Sequence, residues 1–61
     1  MPVITIELYE GRTVEQKREM AKAITDAVVR IGKTMPESTH IIFKDIKKSD
    51  WATAGKLASD A

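Results

Sequence analysis

The 61-residue sequence has no cysteine and one histidine, and it has only three glycines and two prolines. Without cysteine there are no disulfides and no thiolate metal sites. A single histidine excludes a metal site built from several histidines of one chain. A chain this short buries only about 60% of the surface that its unfolded form exposes, so its stability is marginal. We therefore expect it to be stabilised by association with other copies.

The charge is nearly balanced, with ten basic and nine acidic residues and a net charge of +1. This is not the basic excess that binds nucleic acids or anionic membranes. No apolar run approaches the roughly 20 residues that cross a bilayer. The segment MPVITIELYEGR lacks the basic start and long apolar stretch of a signal peptide. We expect a cytoplasmic protein with neither a nucleic-acid nor a membrane partner.

Two alternating segments flank one helical segment. Residues Val3 to Tyr9 and Thr39 to Ile46 alternate with period two and are rich in β-branched residues, which predicts two strands. Between them, Thr13 and Gln16 have the spacing of a capping box. Apolar residues then recur at helical spacing, as Met20, Ile24, Ala27, Val28 and Ile31. With Gly32 as its stop, the helix is predicted from about Val14 to Ile31.

A crossover of this length favours parallel strands. The segment Trp51 to Leu57 contains Ala54-Gly55 and predicts a short hairpin or an irregular segment. The fold class is therefore α/β, with a β-α-β protomer of two parallel strands, one long helix and a short C-terminal hairpin. It forms a single domain over residues 1–61. Because two strands and one helix cannot cover both sheet faces or the edges, this architecture also requires an oligomer.

Pro2 is the most unusual candidate for chemistry. Initiator methionine is normally removed before a small residue, and removal of Met1 would leave a secondary amine at the start of a strand. A free α-amino group titrates near about pH 8. An apolar pocket or a nearby cation favours its neutral form, which is a competent general base near pH 7. Alternatively, Pro2 only begins a strand, a position that proline tolerates.

Three other residues are candidate substrate-binding groups. Arg12 follows Gly11 and precedes a helix, where a guanidinium can bind a carboxylate or simply be solvated. Trp51 is suited either to a pocket wall or to a core or interface position. His40 is either a packed strand residue or a group recruited for catalysis. The lysines of the C-terminal third are predicted to form a solvated face that also attracts anions; they are Lys44, Lys47, Lys48 and Lys56.

Taken together, these residues resemble the 4-oxalocrotonate tautomerase family. The resemblance covers nearly the whole chain. Its most specific part is the proline-first strand followed by the stretch Glu10-Gly11-Arg12-Thr13 and Glu15-Gln16-Lys17. A second part is Trp51 followed by Ala54-Gly55-Lys56-Leu57, which resembles the aromatic residue, glycine-rich hairpin and Leu-Ala ending of the family.

The resemblance implies a cofactor-independent isomerase without a metal, assembled as a homohexamer, a trimer of dimers, with active sites built from more than one subunit. It implies that Pro2 is the general base that moves a proton in enol or dienol carboxylates such as 2-hydroxymuconate. Arg12 matches an arginine that binds a substrate carboxylate. Trp51 matches the aromatic residue of the apolar wall, which is usually phenylalanine.

Two positions depart from the family pattern. Well-known members carry a second arginine where this chain has His40, a smaller and titratable group. Three outcomes are open: His40 donates the hydrogen bond, Lys44 replaces the arginine, or the substrate differs. The run Ala52-Thr53-Ala54 is also less glycine-rich than in the family, which predicts a stiffer hairpin.

Several alternatives to a tautomerase remain at this stage. The same proline can activate water or form an imine, which would give hydratase, dehalogenase or lyase-like activity. The chain can also be a catalytically weak structural subunit, since the second arginine is absent. A ribbon-helix-helix DNA-binding dimer also starts with a short strand. That fold needs two helices and a basic ribbon, whereas Val3 to Tyr9 has no Lys or Arg.

Overall fold

The chain folds as a β-α-β unit followed by a hairpin, in a computed structural model that describes residues 1–60. The elements are β1 (Val3–Tyr9), α1 (Val14–Gly32), β2 (His40–Ile46), β3 (Ala52–Thr53) and β4 (Lys56–Leu57). Short 3₁₀ helices lie at Pro36–Ser38, Lys48–Asp50 and Ala58–Asp60. This order confirms the predicted fold class.

Strands β1 and β2 are parallel, in a register that runs from Val3 opposite His40 to Tyr9 opposite Ile46. The predicted start of β2 at Thr39 is one residue too early. The Thr39 backbone N–H donates to the Pro36 carbonyl at 3.1 Å, and its hydroxyl donates to the Met35 carbonyl at 2.9 Å. Thr39 therefore closes the preceding 3₁₀ turn, and the ladder begins at His40.

Helix α1 starts at the predicted capping box. The Gln16 amide donates to the Thr13 hydroxyl at 3.1 Å, and the Thr13 amide donates to the Gln16 side chain at 2.9 Å. The prediction that Gly32 stops the helix is wrong by one residue, because Gly32 is its last helical residue. The left-handed position falls on Lys33, at φ 57° and ψ 44°. A non-glycine residue adopts this conformation at a cost of roughly 1–2 kcal/mol.

The helix covers one face of the sheet. On that face Ile4, Ile6 and Leu8 of β1 are half-buried, opposite Ile41, Phe43 and Asp45 of β2. The first four residues of the predicted apolar stripe are half-buried as well, whereas Ile31 is 70% exposed. The Lys17 ammonium lies 2.6 Å from the Asp45 carboxylate and joins the helix to β2. The apolar layer between helix and sheet is therefore the closest this chain has to a core.

The other face of the sheet is open. Val3 and Ile42 are 56% and 47% exposed there. None of residues 1–60 is fully buried. The molecule measures 42 × 24 × 14 Å, and its radius of gyration is 14.5 Å, against about 10 Å for a compact domain of this length. No helix among these residues is both long and apolar enough to span a membrane.

The C-terminal hairpin pairs Ala52 with Leu57 and Thr53 with Lys56 in antiparallel register. Its two loop residues, Ala54 and Gly55, both have positive φ, at 54° and 79°. Two such residues make the turn type whose twist matches two-residue hairpins. Glycine tolerates this conformation, whereas an alanine adopts it under strain.

Candidate functional site

The parallel pairing places the candidate residues at two opposite ends of the sheet. At the amino end, Pro2 precedes β1 and His40 begins β2. At the carboxyl end, the segment Glu10–Arg12 follows β1 and Lys47–Lys48 follows β2. Trp51 comes directly after the 3₁₀ helix that leaves β2, so it also belongs to the carboxyl end.

Pro2 is fixed by the sheet although it lies outside the strand. Its carbonyl accepts a hydrogen bond from the His40 backbone N–H at 3.0 Å, which extends the ladder by one step. The Pro2 ring is half-buried, whereas Met1 is 86% exposed. While Met1 is attached, the Pro2 nitrogen is an amide and not a base. Removal of the exposed Met1 would leave an amine on a well-positioned ring.

His40 is close to Pro2 along the backbone, but its side chain lies on the other face. His40 is directly opposite Val3, so the two side chains share the open face. Pro2 is one residue from Val3, and alternation puts it on the helix side with Ile4. A single copy therefore does not direct the His40 imidazole at its own Pro2. Lys44, the other candidate for this role, lies opposite Glu7 on the open face.

Arg12 lies between a glycine turn and the helix N-terminus. Gly11 has φ +124°, in the range that favours glycine, and it reverses the chain after β1. One Arg12 nitrogen, Nη1, donates to the Tyr9 carbonyl at 3.3 Å. A guanidinium has five N–H donors, so this bond leaves most of the group able to bind a carboxylate. The exposed Arg12 side chain is thereby held beside the helix start.

Trp51 packs against Tyr9, whose role the sequence alone does not reveal. The two ring centroids are 4.8 Å apart at an interplanar angle of 67°, an edge-to-face contact. Both residues are half-buried. The Lys48 ammonium lies 5.6 Å from the Tyr9 ring centroid, within cation–π range. Tyr9 therefore has an aromatic neighbour and a cationic one.

Two open depressions flank Tyr9 and Lys48. One, of about 440 Å³, is lined by Tyr9, Glu10, Gly11, Arg12, Gln16 and Lys48. The other, of about 360 Å³, is lined by Tyr9, Lys48, Thr53, Lys56, Leu57 and Ala58. They share Tyr9 and Lys48, so the carboxyl end of the sheet presents a continuous surface with several cations. This surface is suited to a small anionic molecule.

One chain does not bring all the predicted site residues together. Seven residue steps separate Pro2 from Tyr9 along β1, and a strand rises by about 3.3 Å per residue, so the two lie about 23 Å apart. Arg12 and Trp51 lie with Tyr9 at the far end. A site that contains Pro2, Arg12 and Trp51 therefore needs a second copy of the chain.

Metal ligands do not converge in the described part of the chain. Among residues 1–60, no three His, Asp or Glu side chains lie close enough to hold one metal ion. The groups at the two ends are an imidazole, a guanidinium, ammonium groups and aromatic rings, to which removal of Met1 would add the Pro2 amine. This set can bind a carboxylate and transfer a proton.

Comparison with known proteins agrees with this geometry. The family model described as "Tautomerase enzyme" matches residues 2–61. The chain belongs to the tautomerase family. A probable tautomerase from Ralstonia nicotianae is 44% identical over 57 residues, which are 93% of this chain and 88% of that protein. A probable tautomerase from Halalkalibacterium halodurans is 37% identical over 60 residues, 98% of each chain.

Solved structures place this tautomerase family member in the same fold. YwhB, a homologue of 4-oxalocrotonate tautomerase, superposes with a TM-score of 0.94 at 35% identity, covering 98% of each chain. A 4-oxalocrotonate tautomerase isozyme from Methylibium petroleiphilum gives 0.93 at 41% identity, covering 97% of this chain and 92% of that one. The predicted resemblance to this family is confirmed, and the chain is a tautomerase-type enzyme by family.

Lys48 was predicted to belong to a solvated lysine face that also attracts anions, and the structure shows it exposed. What was not predicted is that it lines both depressions, one of them together with Arg12. A signal was present, because the carboxyl ends of parallel strands meet at one edge of a sheet. Residues that follow β1 and β2 directly, such as Arg12 and Lys48, are therefore expected to lie near each other.

Proposed function

We propose that this chain is a cofactor-independent tautomerase that moves a proton in enol or dienol carboxylates, such as 2-hydroxymuconate-like 2-hydroxy-2,4-dienoates. Pro2 is the general base after removal of Met1. Arg12, His40 and Trp51 bind the substrate. One observation carries this proposal beyond family membership. An exposed Met1 precedes a half-buried Pro2 at one end of the sheet, and a depression lined by Arg12 and Lys48 lies at the other.

The proposed site forms between copies. The Pro2 end of one copy meets the Arg12 and Trp51 end of another, because about 23 Å of strand separates these ends within one chain. The exposed Val3 and Ile42 side chains, and the absence of fully buried residues among 1–60, support such association. In this proposal the chain acts as a single domain over residues 1–61 in a cytoplasmic homohexamer, a trimer of dimers.

In the proposed reaction, Arg12 from the carboxyl end and Pro2 from the amino end act on the same substrate. Arg12 binds the substrate carboxylate. The neutral Pro2 amine takes the hydroxyl proton of the enol, the C2–O bond becomes a carbonyl, and the electron pair moves along the diene. The Pro2 ammonium then returns a proton to a distal carbon, which gives the conjugated ketone. No atoms are gained or lost, so neither an oxidant nor a second substrate is needed.

The surroundings favour the neutral amine. In the proposed site, the Tyr9 and Trp51 pair and the Arg12 beside it come from another copy, where they supply an apolar wall and a positive charge close to Pro2. Both disfavour an ammonium ion. Exclusion of water by the rings also strengthens each polar contact with the substrate. The Pro2 ring limits the directions in which the nitrogen lone pair can point.

His40 is proposed to bind the oxygen end of the substrate. It lies on the open face, away from its own Pro2, so it acts on a site that includes the Pro2 of another copy. As a hydrogen-bond donor it replaces the second arginine of well-known family members. Lys44 is less suited because the Glu7 carboxylate lies opposite it in the register.

The test uses the same chain with and without Met1. Protein made with Met1 retained is incubated with purified methionine aminopeptidase. Intact mass and turnover of phenylenolpyruvate or 2-hydroxymuconate are followed together. We expect activity to rise in step with loss of Met1, because only cleavage frees the Pro2 nitrogen. Equal turnover before and after cleavage would contradict a proline base.

A substitution gives the second arm of this test. Pro2→Ala is expected to lower kcat/KM by about 10²–10⁴-fold, the usual contribution of a positioned acid–base group. Pro36→Ala is the matched control, since Pro36 is the other proline and lies in the 3₁₀ turn before β2. Its turnover is expected to stay near that of the parent chain.

A further inference from the structure

Besides Arg12, the side chain of Lys48 also brings a positive charge to the carboxyl end of the sheet. It begins the 3₁₀ helix Lys48–Asp50, directly after β2. That helix is closed by hydrogen bonds from the Asp50 N–H to the Lys47 carbonyl at 2.8 Å and from the Trp51 N–H to the Lys48 carbonyl at 3.3 Å. The same turn that positions Trp51 therefore positions the backbone of Lys48.

The Lys48 ammonium is held near the middle of the surface described above. It lies 5.6 Å from the Tyr9 ring centroid, and Trp51 contacts that ring at a centroid distance of 4.8 Å. Only Tyr9 and Lys48 line both depressions. A ligand in either depression therefore meets the Lys48 side chain.

The charges around Lys48 favour an anion. None of the three ion pairs among residues 1–60 involves Lys48. In one depression it accompanies Arg12, with Glu10 as the single acidic residue. In the other it accompanies Lys56, and no acidic residue lines that depression. Lys48 is thus flanked by a cation on each side.

We propose that Lys48 is a substrate-binding residue that shares the anionic group of the substrate with Arg12. This inference rests on the proposed function, and it names a contact that the sequence motifs do not contain. Arg12 supplies a planar fork of donors, whereas Lys48 supplies a point charge on a flexible stem. Together with Lys56, Lys48 makes the site bind the more anionic of two otherwise similar enol acids.

The variant that tests this role is Lys48→Met, which keeps most of the aliphatic stem and removes the charge. We expect KM for an enol carboxylate to rise about 5- to 20-fold, less than the full loss of a charge-assisted hydrogen bond because Lys48 is exposed and solvent screens its charge, with kcat changed less than twofold. Lys48→Arg is expected to recover most of the affinity. Lys47→Met is the matched control, because Lys47 is the neighbouring lysine and lines neither depression.

A binding measurement separates this inference from the proposed chemistry. Trp51 is the only tryptophan, so its fluorescence reports on this surface during titration with the unreactive dicarboxylate adipate and the monocarboxylate hexanoate. We expect Lys48→Met to weaken adipate binding by a similar factor and to reduce the preference for adipate over hexanoate. Because the titration needs no turnover, it measures the contribution of Lys48 to ligand affinity even if Pro2 proves not to be the base.

A purely structural role of Lys48 would give a different set of results. If Lys48 only supports the Tyr9 ring, Lys48→Met will change the Trp51 emission of the unliganded protein and leave the adipate Kd and the KM unchanged. That outcome would overturn the inference. Equal effects of Lys48→Met and Lys47→Met would overturn it as well, because they would show a general effect of surface charge.

Discussion

The amino end of the sheet carries Pro2 and His40, whereas the carboxyl end carries Arg12, Lys48 and Trp51. At the amino end a backbone hydrogen bond of 3.0 Å fixes Pro2 against β2. At the carboxyl end a turn, a helix N-terminus and an aromatic pair surround an open surface. In the proposed function, the first end supplies the proton-transfer group and the second binds the substrate anion. Neither end is a complete site in one chain.

This division has a physical cause. A parallel β-α-β unit collects the starts of its strands at one edge and their ends at the other. A larger protein of this kind can fold a further segment over either edge. In the proposed function, a second copy of the chain supplies the missing half of the site. In the proposed assembly, the same association also covers the exposed apolar side chains of the open face.

The largest effect expected at the carboxyl end is that of Arg12→Met. Loss of a charge-assisted contact is worth about 1.5–3 kcal/mol, so KM for an enol carboxylate should rise about 10- to 100-fold. The effect on kcat should be much smaller, in contrast to Pro2→Ala. Arg30→Met, in the last turn of α1, serves as the control. The two variants are compared by steady-state kinetics. An equal loss of kcat in Arg12→Met and Pro2→Ala would contradict the assignment of binding to one end and proton transfer to the other.

Trp51→Ala tests how the carboxyl end is held together. The edge-to-face contact with Tyr9 is worth about 0.5–1.5 kcal/mol beyond the buried area, so the half-buried ring should contribute about 2 kcal/mol in all. Thermal unfolding at one fixed protein concentration measures this loss. Trp51→Phe keeps an aromatic ring and should lose less than half as much. An equal loss in both variants would show that the edge contact does not stabilise this end.

Thr13→Ala tests the capping box beside Arg12. The Thr13 hydroxyl accepts a hydrogen bond from the Gln16 amide, and removal of such a cap costs about 1 kcal/mol of stability. Thr13→Ser keeps the hydroxyl and is expected to unfold near the parent temperature. If Thr13→Ser were as unstable as Thr13→Ala, the methyl group rather than the cap would be responsible.

The smallest effect concerns the hairpin that follows Trp51. Ala54 has φ 54°, so Ala54→Gly should relieve strain and stabilise the chain by about 0.5 kcal/mol. Ala52→Gly, in the neighbouring strand β3, should instead destabilise it by about 0.5–1 kcal/mol. Denaturant unfolding resolves the two signs. A destabilising Ala54→Gly would contradict this account, because the added entropy of the unfolded chain would then outweigh the relief of strain in the turn.

Local patterns predicted the elements of this fold well. The alternation of Val3 to Tyr9 predicted β1 to the residue, and the Thr13 and Gln16 spacing predicted the start of α1. The ends of helices and strands were predicted less well, because they depend on whether a terminal residue forms its hydrogen bonds with the adjoining turn or within the element. Thr39 bonds back to the preceding turn instead of joining β2. The left-handed residue that ends α1 is Lys33, although Gly32 has the lower cost.

The sequence nominates residues for the candidate site but does not give their arrangement. Residue type and spacing select Pro2 and Arg12, yet they say nothing about which copy each belongs to. Strand length shows that Pro2 and Tyr9 lie seven residue steps apart, at opposite ends of the sheet, and the proposal of a shared site rests on this separation. The aromatic pair of Tyr9 and Trp51, and Lys48 beside it, emerge only from the fold of the segment after β2.

Subunit mixing tests the shared site most directly. Pro2→Ala and Arg12→Met chains are unfolded together in equal amounts and refolded, and turnover is measured at a substrate concentration well below the parent KM, where each variant alone is expected to keep at most about a tenth of the parent rate. If each site takes Pro2 from one copy and Arg12 from another, random assembly restores about a quarter of the parent activity. If both residues act from the same copy, every site lacks one of them, and the mixture stays as inactive as its two components. We predict the first result, and the second would contradict the account.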